Sequence, residues 1–328
     1  MTEFYEQVKE RLMRYARINT ESDPHSTSVP TTSCQHDLAS VIYEELQKIG
    51  ATNVYYDKDT CVVYGSLEAN VKTGRAIGFV THMDTAPDAS GKDVKPWVLE
   101  NYDGKDIVLN AEKDIVMSPN VFPNLKQYIG QDLILTDGTT LLGGDDKASI
   151  AAVMTLLEYL VKHPEIKHNF ISVAFTPDEE VSGLAKDLDL ERFKSPIAYT
   201  LDGDHLGYYM DETFNASLST IEIHGISVHT ATAKGIMKNA VDIGNAFLNK
   251  LPALEKPQYT QGLTVVRNYK SCGLGRERCD RKGHAVFLRP RVDSAIMGSA
   301  STGISTSSTK LKMISTFCLR LPPDLSGA

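Results

Sequence analysis

The 328-residue chain lacks most marks of a secreted, membrane-bound or redox protein. Its five cysteines (Cys34, Cys61, Cys272, Cys279 and Cys318) are odd in number and widely spaced. No Cys-x-x-Cys pair occurs, which argues against thiolate zinc and thioredoxin-like chemistry and leaves reduced thiols as the expectation. No run approaches the roughly 18 apolar residues of a membrane span. Residues 1–10 are charged throughout, without the apolar stretch of a secretory signal. The expected setting is cytoplasmic, with no membrane partner. Also missing are the Gly-x-Ser-x-Gly elbow, the Walker loop and His-Glu-x-x-His, so the common serine-hydrolase, phosphate-loop and helical zinc-protease signatures do not apply. No internal repeat is visible.

Charge is unevenly divided. Residues 1–262 carry 23 Lys and Arg against 38 Asp and Glu, a net of −15, whereas residues 263–328 carry 11 against 4, a net of +7. Three of the five cysteines and the Ser/Thr-rich run 299–309 also fall in the last stretch. A nucleic-acid role for its cations would need interleaved aromatics or a known module, and neither is present, so no nucleic-acid partner is expected.

Periodicity predicts an amphipathic helix over about 3–17, with Phe4, Val8, Leu12 and Tyr15 on one face. A polar loop spans 20–33. A second helix over 36–49 buries Leu38, Val41, Ile42, Leu46 and Ile49 and stops at Gly50. Strands are expected at 60–67, 76–80, 170–175 and 198–201, and a third helix runs from Asp145-Asp146 to about 162, ending at His163-Pro164. Residues 88–140 read as an excursion with short strands. The alternation is that of an α/β sheet whose strands deliver polar residues at their carboxyl ends. From about 212 the pattern becomes period-two, then a helix over 236–250, which implies a smaller α+β domain.

Strand ends and the third helix's start supply His82, Asp84, Asp145, Asp146, Glu179, Glu180 and Asp202. Taken singly, each has a bland reading: a satisfied histidine, a helix N-cap, a solvated acidic pair. Together they offer the nitrogen and carboxylate ligands of a zinc site and a spare acid/base group. In His-x-Asp the Asp can orient the imidazole. In Glu-Glu the two side chains can diverge, one toward metal and one toward a proton.

The strings Gly78-Phe-Val-Thr-His-Met-Asp-Thr85, Leu141-Leu-Gly-Gly-Asp-Asp-Lys147, Ala174-Phe-Thr-Pro-Asp-Glu-Glu180 and Tyr199-Thr-Leu-Asp-Gly203 resemble, in order and spacing, the peptidase T type of M20 metallopeptidase. Glu100-Asn-Tyr and Ser227-Val-His-Thr-Ala-Thr-Ala-Lys-Gly235 extend the resemblance over about residues 3–262. It implies a cytoplasmic zinc-dependent aminopeptidase that removes the N-terminal residue of tripeptides. Asp145 would bridge two zinc ions, His82 and Asp202 completing one and Glu180 the other. Glu179 would be the general base, Asp84 would orient His82, and the Asp145-Asp146 peptide would be cis. His229, in a lid that also forms a homodimer, would stabilise the oxyanion; the sequence reads His-Thr-Ala where the family commonly has His-Pro-Gly. Lys147 receives no role.

The family's later text, with its last zinc-binding histidine, is not found after Gly262, and the sole histidine beyond it is His284. The expected organisation is therefore a catalytic zinc-peptidase domain (1–211), a partial lid (212–262), both incomplete at the C-terminal side, and a disordered tail (263–328) of the kind a frame shift produces, which the coding sequence would reveal. The second zinc site would be weak and the dimer compromised. Two other readings stand beside the aminopeptidase: an inactive remnant that binds one zinc, and another M20 dipeptidase or deacylase sharing the metal set.

Overall fold

The computed structural model describes residues 2–72, 74–182, 188–203, 215–221, 223–255 and 259, with strand backbone at Asn215–Thr220, Val265–Leu274, Phe287–Ile296 and Lys312–Ser315. Contacts divide it into two units, residues 1–211 with 308–328, and residues 212–307.

In the first unit, helices α1 (Thr2–Ala16) and α2 (Gln35–Ile49) precede strands β1 (Thr52–Asp57), β2 (Val62–Leu67) and β3 (Ile77–His82). The excursion follows with short strands β4 (Trp97–Leu99), β5 (Ile107–Asn110), β6 (Ile115–Met117) and β7 (Leu133–Leu135), paired β4 with β7 and β5 with β6. They close over a small core of Tyr102, Ile107, Leu125 and Leu135. Helix α3 (Gly144–Lys162), β8 (Ile171–Thr176), the one-turn α4 (Glu179–Ser182) and α5 (Leu190–Phe193), and β9 (Ile197–Thr200) complete the run.

The helices form where the apolar spacing predicted them. Leu12 and Tyr15 of α1, Leu38, Ile42 and Leu46 of α2, and Ile150, Met154 and Leu157 of α3 are buried in one cluster against Val63, Val173 and Phe175 of the sheet. Gly50 takes φ 88°, a left-handed cap that a side chain would strain. Gly78 lets the Phe193 ring lie against β3, where a Cβ would collide with it. β1 was not foreseen: its residues are half-exposed and Asn53 has φ 50°, so no clean alternation marks it.

The main sheet runs β1-β2-β8-β3-β9, with a fourteenth strand (Lys312–Ser315) beside β9. β8, β3 and β9 are mutually parallel, so their carboxyl ends share one edge. In that register His82 pairs with Thr176, and Val80 with Thr200. The crossovers through α3 and through α4–α5 therefore return every site-bearing loop to the same edge.

In the second unit β10 (Asn215–Thr220) and β11 (Ile223–His224) both pair with β13 (Phe287–Ile296), which also pairs with β12 (Val265–Leu274). Helix α6 (Ala240–Leu248) is capped by Asn239, whose side chain accepts the Val241 N–H. The expectation of a disordered tail over 263–328 falls largely on residues outside those described; three stretches of it are strands. Among the described residues no helix is long and apolar enough to cross a membrane.

Candidate metal centre

His82 ends β3 and is 4% exposed. Its Nδ1 lies 3.0 Å from the Asp84 carbonyl and 3.3 Å from Asp84 Oδ1. A carbonyl only accepts, so Nδ1 carries a proton. On the other side Nε2 faces Asp145 Oδ1 at 2.9 Å and Asp202 Oδ2 at 3.9 Å. One neutral imidazole cannot donate in both directions. Without a cation the ring stays protonated: burial alone would lower its pKa, but the bonds to Asp145 and Asp84 outweigh that and push it up to about 11.

The carboxylates are crowded. The bond to His82 holds Asp145 below the usual range against the effect of burial. Burial, then repulsion from Asp145, raises Asp202 and lifts Glu180 to about 7. Burial also raises Glu179, and pushes the nearly inaccessible Asp146 well up. One ligand atom each from His82, Asp145 and Asp202 lie within 4.8 Å of one another. Nitrogen and carboxylate oxygens in one small space, with acids crowded enough to resist ionisation, are a donor set that fits a divalent cation.

The loops that bring these groups together are tied at each step. Asp84 is fully buried, and its two oxygens accept the backbone N–H groups of Glu179 (2.9 Å) and Glu180 (3.1 Å). It thus contacts the imidazole at Nδ1 and also seats the Glu-Glu turn. The pairing of β3 with β8 continues past the strands through Met83 N–H to the Thr176 carbonyl at 2.8 Å. The Asp145-Asp146 peptide is cis, and neither residue has helical angles, so the regular turns of α3 start after them. Ser149 of α3 donates to the Leu201 carbonyl, fixing the residue before Asp202.

His82, Asp145 and Asp202 are thus brought into one group, with Asp84, Glu179 and Glu180 joined to it through hydrogen bonds or mutual repulsion. His229 belongs to the second unit. It is exposed and caps the turn Thr230–Thr232, its Nδ1 accepting the Ala231 N–H at 3.2 Å. That bond places the neutral ring's proton on Nε2.

Sequence reasoning passed over two residues here. Lys147 is 1% exposed, its Nζ donates to the Ile18 carbonyl at 2.8 Å, and burial pulls its pKa down to about 8. Asp178, at φ 59°, accepts from Thr31 and Gln35. The only signal in the text was their place inside Gly-Gly-Asp-Asp-Lys and Thr-Pro-Asp-Glu-Glu.

A model of the M20 peptidase dimerisation domain matches residues 212–302, nearly the whole second unit, and continues past Gly262. Peptidase T of Alkaliphilus oremlandii is 47% identical over 286 residues, 83% of this chain and 70% of that protein. Peptidase T of Caldanaerobacter subterraneus subsp. tengcongensis is 49% identical over 256 residues, 78% of this chain and 62% of that protein. The chain therefore spans 62–70% of the length of these relatives. Among solved structures, a Staphylococcus aureus tripeptidase gives a TM-score of 0.60 at 19% identity, covering 89% of this chain and 66% of its own. The Bacillus cereus aminopeptidase PepT gives 0.55 at 20%, with the same coverage. At those identities the structures show a shared fold.

Proposed function

The chain belongs to the peptidase T family of M20 peptidases, and from that premise we propose that it is a zinc-dependent aminopeptidase releasing the N-terminal residue of tripeptides. The observation that carries this reading is His82, buried with oxygen acceptors on both ring nitrogens and with Asp145 and Asp202 beside Nε2. That arrangement leaves a cation-sized demand for positive charge at the carboxyl edge of the sheet. His82 and Asp202 would hold one zinc ion, Asp145 would be shared, and Glu180 would hold a second ion. With only Asp145 and Glu180 assigned to it, that second site is the weaker of the two.

Bound zinc would supply Lewis acidity to the scissile carbonyl and to a water molecule. Glu179 is the general base: it removes one proton from water as the oxygen adds to the carbonyl carbon, and returns it to the leaving nitrogen as the C–N bond breaks. Its raised pKa, caused first by burial, suits a group that must both take and give a proton. His229, with its proton on Nε2, has the tautomer needed to donate to the developing oxyanion. A short unblocked peptide is the substrate class and a homodimer through the second unit the assembly.

Hydrolysis of an unblocked tripeptide by the purified chain with added zinc, beside its Glu179→Gln variant, tests the assignment. The variant should lose activity by about 100- to 10,000-fold while binding zinc as wild type does. Equal rates from the two proteins would overturn the role of Glu179. A wild type that takes up zinc yet hydrolyses nothing would favour the remnant reading, which the grouping of just three donors among the described residues supports.

A further inference from the structure

Residues 20–33 read as a polar loop, yet some residues in and beside it are buried: Thr20 and Gln35 are fully inaccessible, and Ser22 is 2% exposed. Loops usually lie in water because a buried one must find partners for its polar groups. Here the backbone, Ser22 Oγ and the Thr31 and Gln35 side chains find partners at three places, while the buried Thr20 hydroxyl has none. The Ile18 carbonyl accepts from Lys147 Nζ at 2.8 Å. The Thr20 carbonyl accepts the Thr85 N–H at 3.1 Å, and the Thr85 carbonyl accepts both N–H and Oγ of Ser22 at 3.1 and 3.2 Å. The Asp178 carboxylate accepts from Thr31 N (2.8 Å), Thr31 Oγ1 (2.5 Å) and Gln35 Nε2 (2.7 Å), while the Asp178 N–H donates to Gln35 Oε1 at 3.2 Å.

Each anchor stands beside a residue of the metal centre. Lys147 follows Asp145-Asp146, Thr85 follows Asp84, and Asp178 precedes Glu179-Glu180. Asp84 closes the circuit by accepting the Glu179 and Glu180 N–H groups. One stretch of chain thus binds all three loops that carry His82–Asp84, Asp145 and the two glutamates. Ordinary loop closure would require one such attachment, and exposed bonds would suffice.

We infer that residues 18–35 form a belt that positions the metal centre, with Asp178 and Lys147 as its positioning residues. The inference rests on the metallopeptidase reading for its purpose, and on the hydrogen bonds alone for its existence. Charge-assisted bonds to Asp178 are the strong members, so removing the Thr31 hydroxyl or the Asp178 charge should loosen the Glu-Glu turn and, through Asp84, the end of β3. Partners bonded directly to a metal's ligands, as Asp84 is to His82, commonly change its affinity 10- to 100-fold, and the belt acts through that residue.

Amide hydrogen exchange on the full chain, compared among wild type, Thr31→Val, Thr31→Ser, Asp178→Asn and Lys147→Met, tests this well below the thermal midpoint of each. Exchange at Met83, Thr85, Glu179 and Glu180 should accelerate at least tenfold in Thr31→Val and Asp178→Asn, and return to the wild-type rate in Thr31→Ser. Zinc affinity, measured by competition with a chromophoric chelator, should fall tenfold or more in the same two variants and in Lys147→Met. Unchanged exchange at those four amides, or acceleration spread equally over β2, would reduce the belt to ordinary structural support. If Asp178→Asn does not fold, the Thr31 pair decides. If wild type takes up no zinc while the exchange pattern holds, the belt stands and the peptidase reading falls.

Discussion

Around Arg11, helices α1, α2 and α3 gather two guanidiniums, two glutamates and two hydroxyls, whereas at the edge of β3, β8 and β9 carboxylates far outnumber cations. In the first cluster Arg11 donates to Glu45 (2.8 Å), Thr155 (2.7 Å) and Glu158, and Glu45 also accepts from Arg14 (2.8 Å) and Tyr15 (2.7 Å). The bonds to Tyr15, Arg11 and Arg14 outweigh burial and hold Glu45 below the ordinary range, and Lys162 and Arg11 do the same for Glu158. In the second cluster Glu179, Glu180, Asp146 and Asp202 all move upward. Lys147, the one buried ammonium among the described residues, spends its described bond on the Ile18 carbonyl. A cluster whose acids are eased by the chain's own cations is complete as folded. A cluster whose acids resist ionisation lacks a positive charge that a ligand must bring.

The largest effect expected from this contrast is on stability. Arg11→Met leaves Glu45 and Glu158 without their shared partner and should cost roughly 3 kcal/mol, since breaking a buried ion pair from one side is expensive. Asp145→Ala, in metal-free protein, takes one partner from the protonated His82 but leaves it Asp84 and relieves the repulsion on Asp202 and Glu180, so it should cost less. Denaturant unfolding of both in chelator measures the difference. Equal losses would erase the distinction between a finished cluster and an open one.

Zinc should have the next largest effect, and on one cluster only. At a free concentration about 100 times its dissociation constant, zinc stabilises the folded wild type by about 2.7 kcal/mol, because it binds the native state alone. Asp145→Ala should gain almost nothing, and Arg11→Met should gain as much as wild type from its lower starting point. Thermal unfolding with and without zinc provides the measurement. A wild-type midpoint indifferent to zinc would remove the case for a metal centre.

The two clusters also differed in how far the sequence revealed them. His82, Asp84, Glu179, Glu180 and Asp202 were legible as candidates because each follows an apolar run that the sheet must bury, and parallel strands bring such ends to one edge; Asp145 was legible from the acidic pair that opens α3. The three main helices followed from their apolar faces. Nothing local marked Arg11: its place on α1 is set, but which acid it meets depends on how α1 crosses α2 and α3, and Glu158 lies 147 residues away. The bonds from Thr31 and Gln35 to Asp178 are likewise non-local, spanning 147 and 143 residues, so residues 20–33 read only as polar. Edge strand β1 was missed because half-exposed Tyr and Asn residues carry no period. Patterns of burial are written locally, while pairings of polar side chains are settled by packing.

The smallest effect, and the one that separates the clusters by sign, is the pH dependence of the metal-free fold. The Glu180 pKa lies at about 7, above its ordinary value of 4.5, because burial and Asp145 disfavour its charge. The native state then binds more protons than the unfolded chain between those values. Its contribution is fully present below pH 4.5 and is lost as pH rises through 7. Glu45 is shifted the other way, so its contribution is present above pH 4.5 and is lost as pH falls through its lowered pKa. In chelator, stability should decline gently from pH 5 to 8, and Glu180→Gln should flatten that limb by a few tenths of a kcal/mol, given how far solvent screens this group. Glu45→Gln should instead leave that limb alone and make the fall below pH 4.5 shallower. Denaturant midpoints across pH 3–8 resolve the two limbs. If Glu180→Gln alters only the acid limb, the upward shift of the open cluster is wrong, and with it the reason for expecting a cation there.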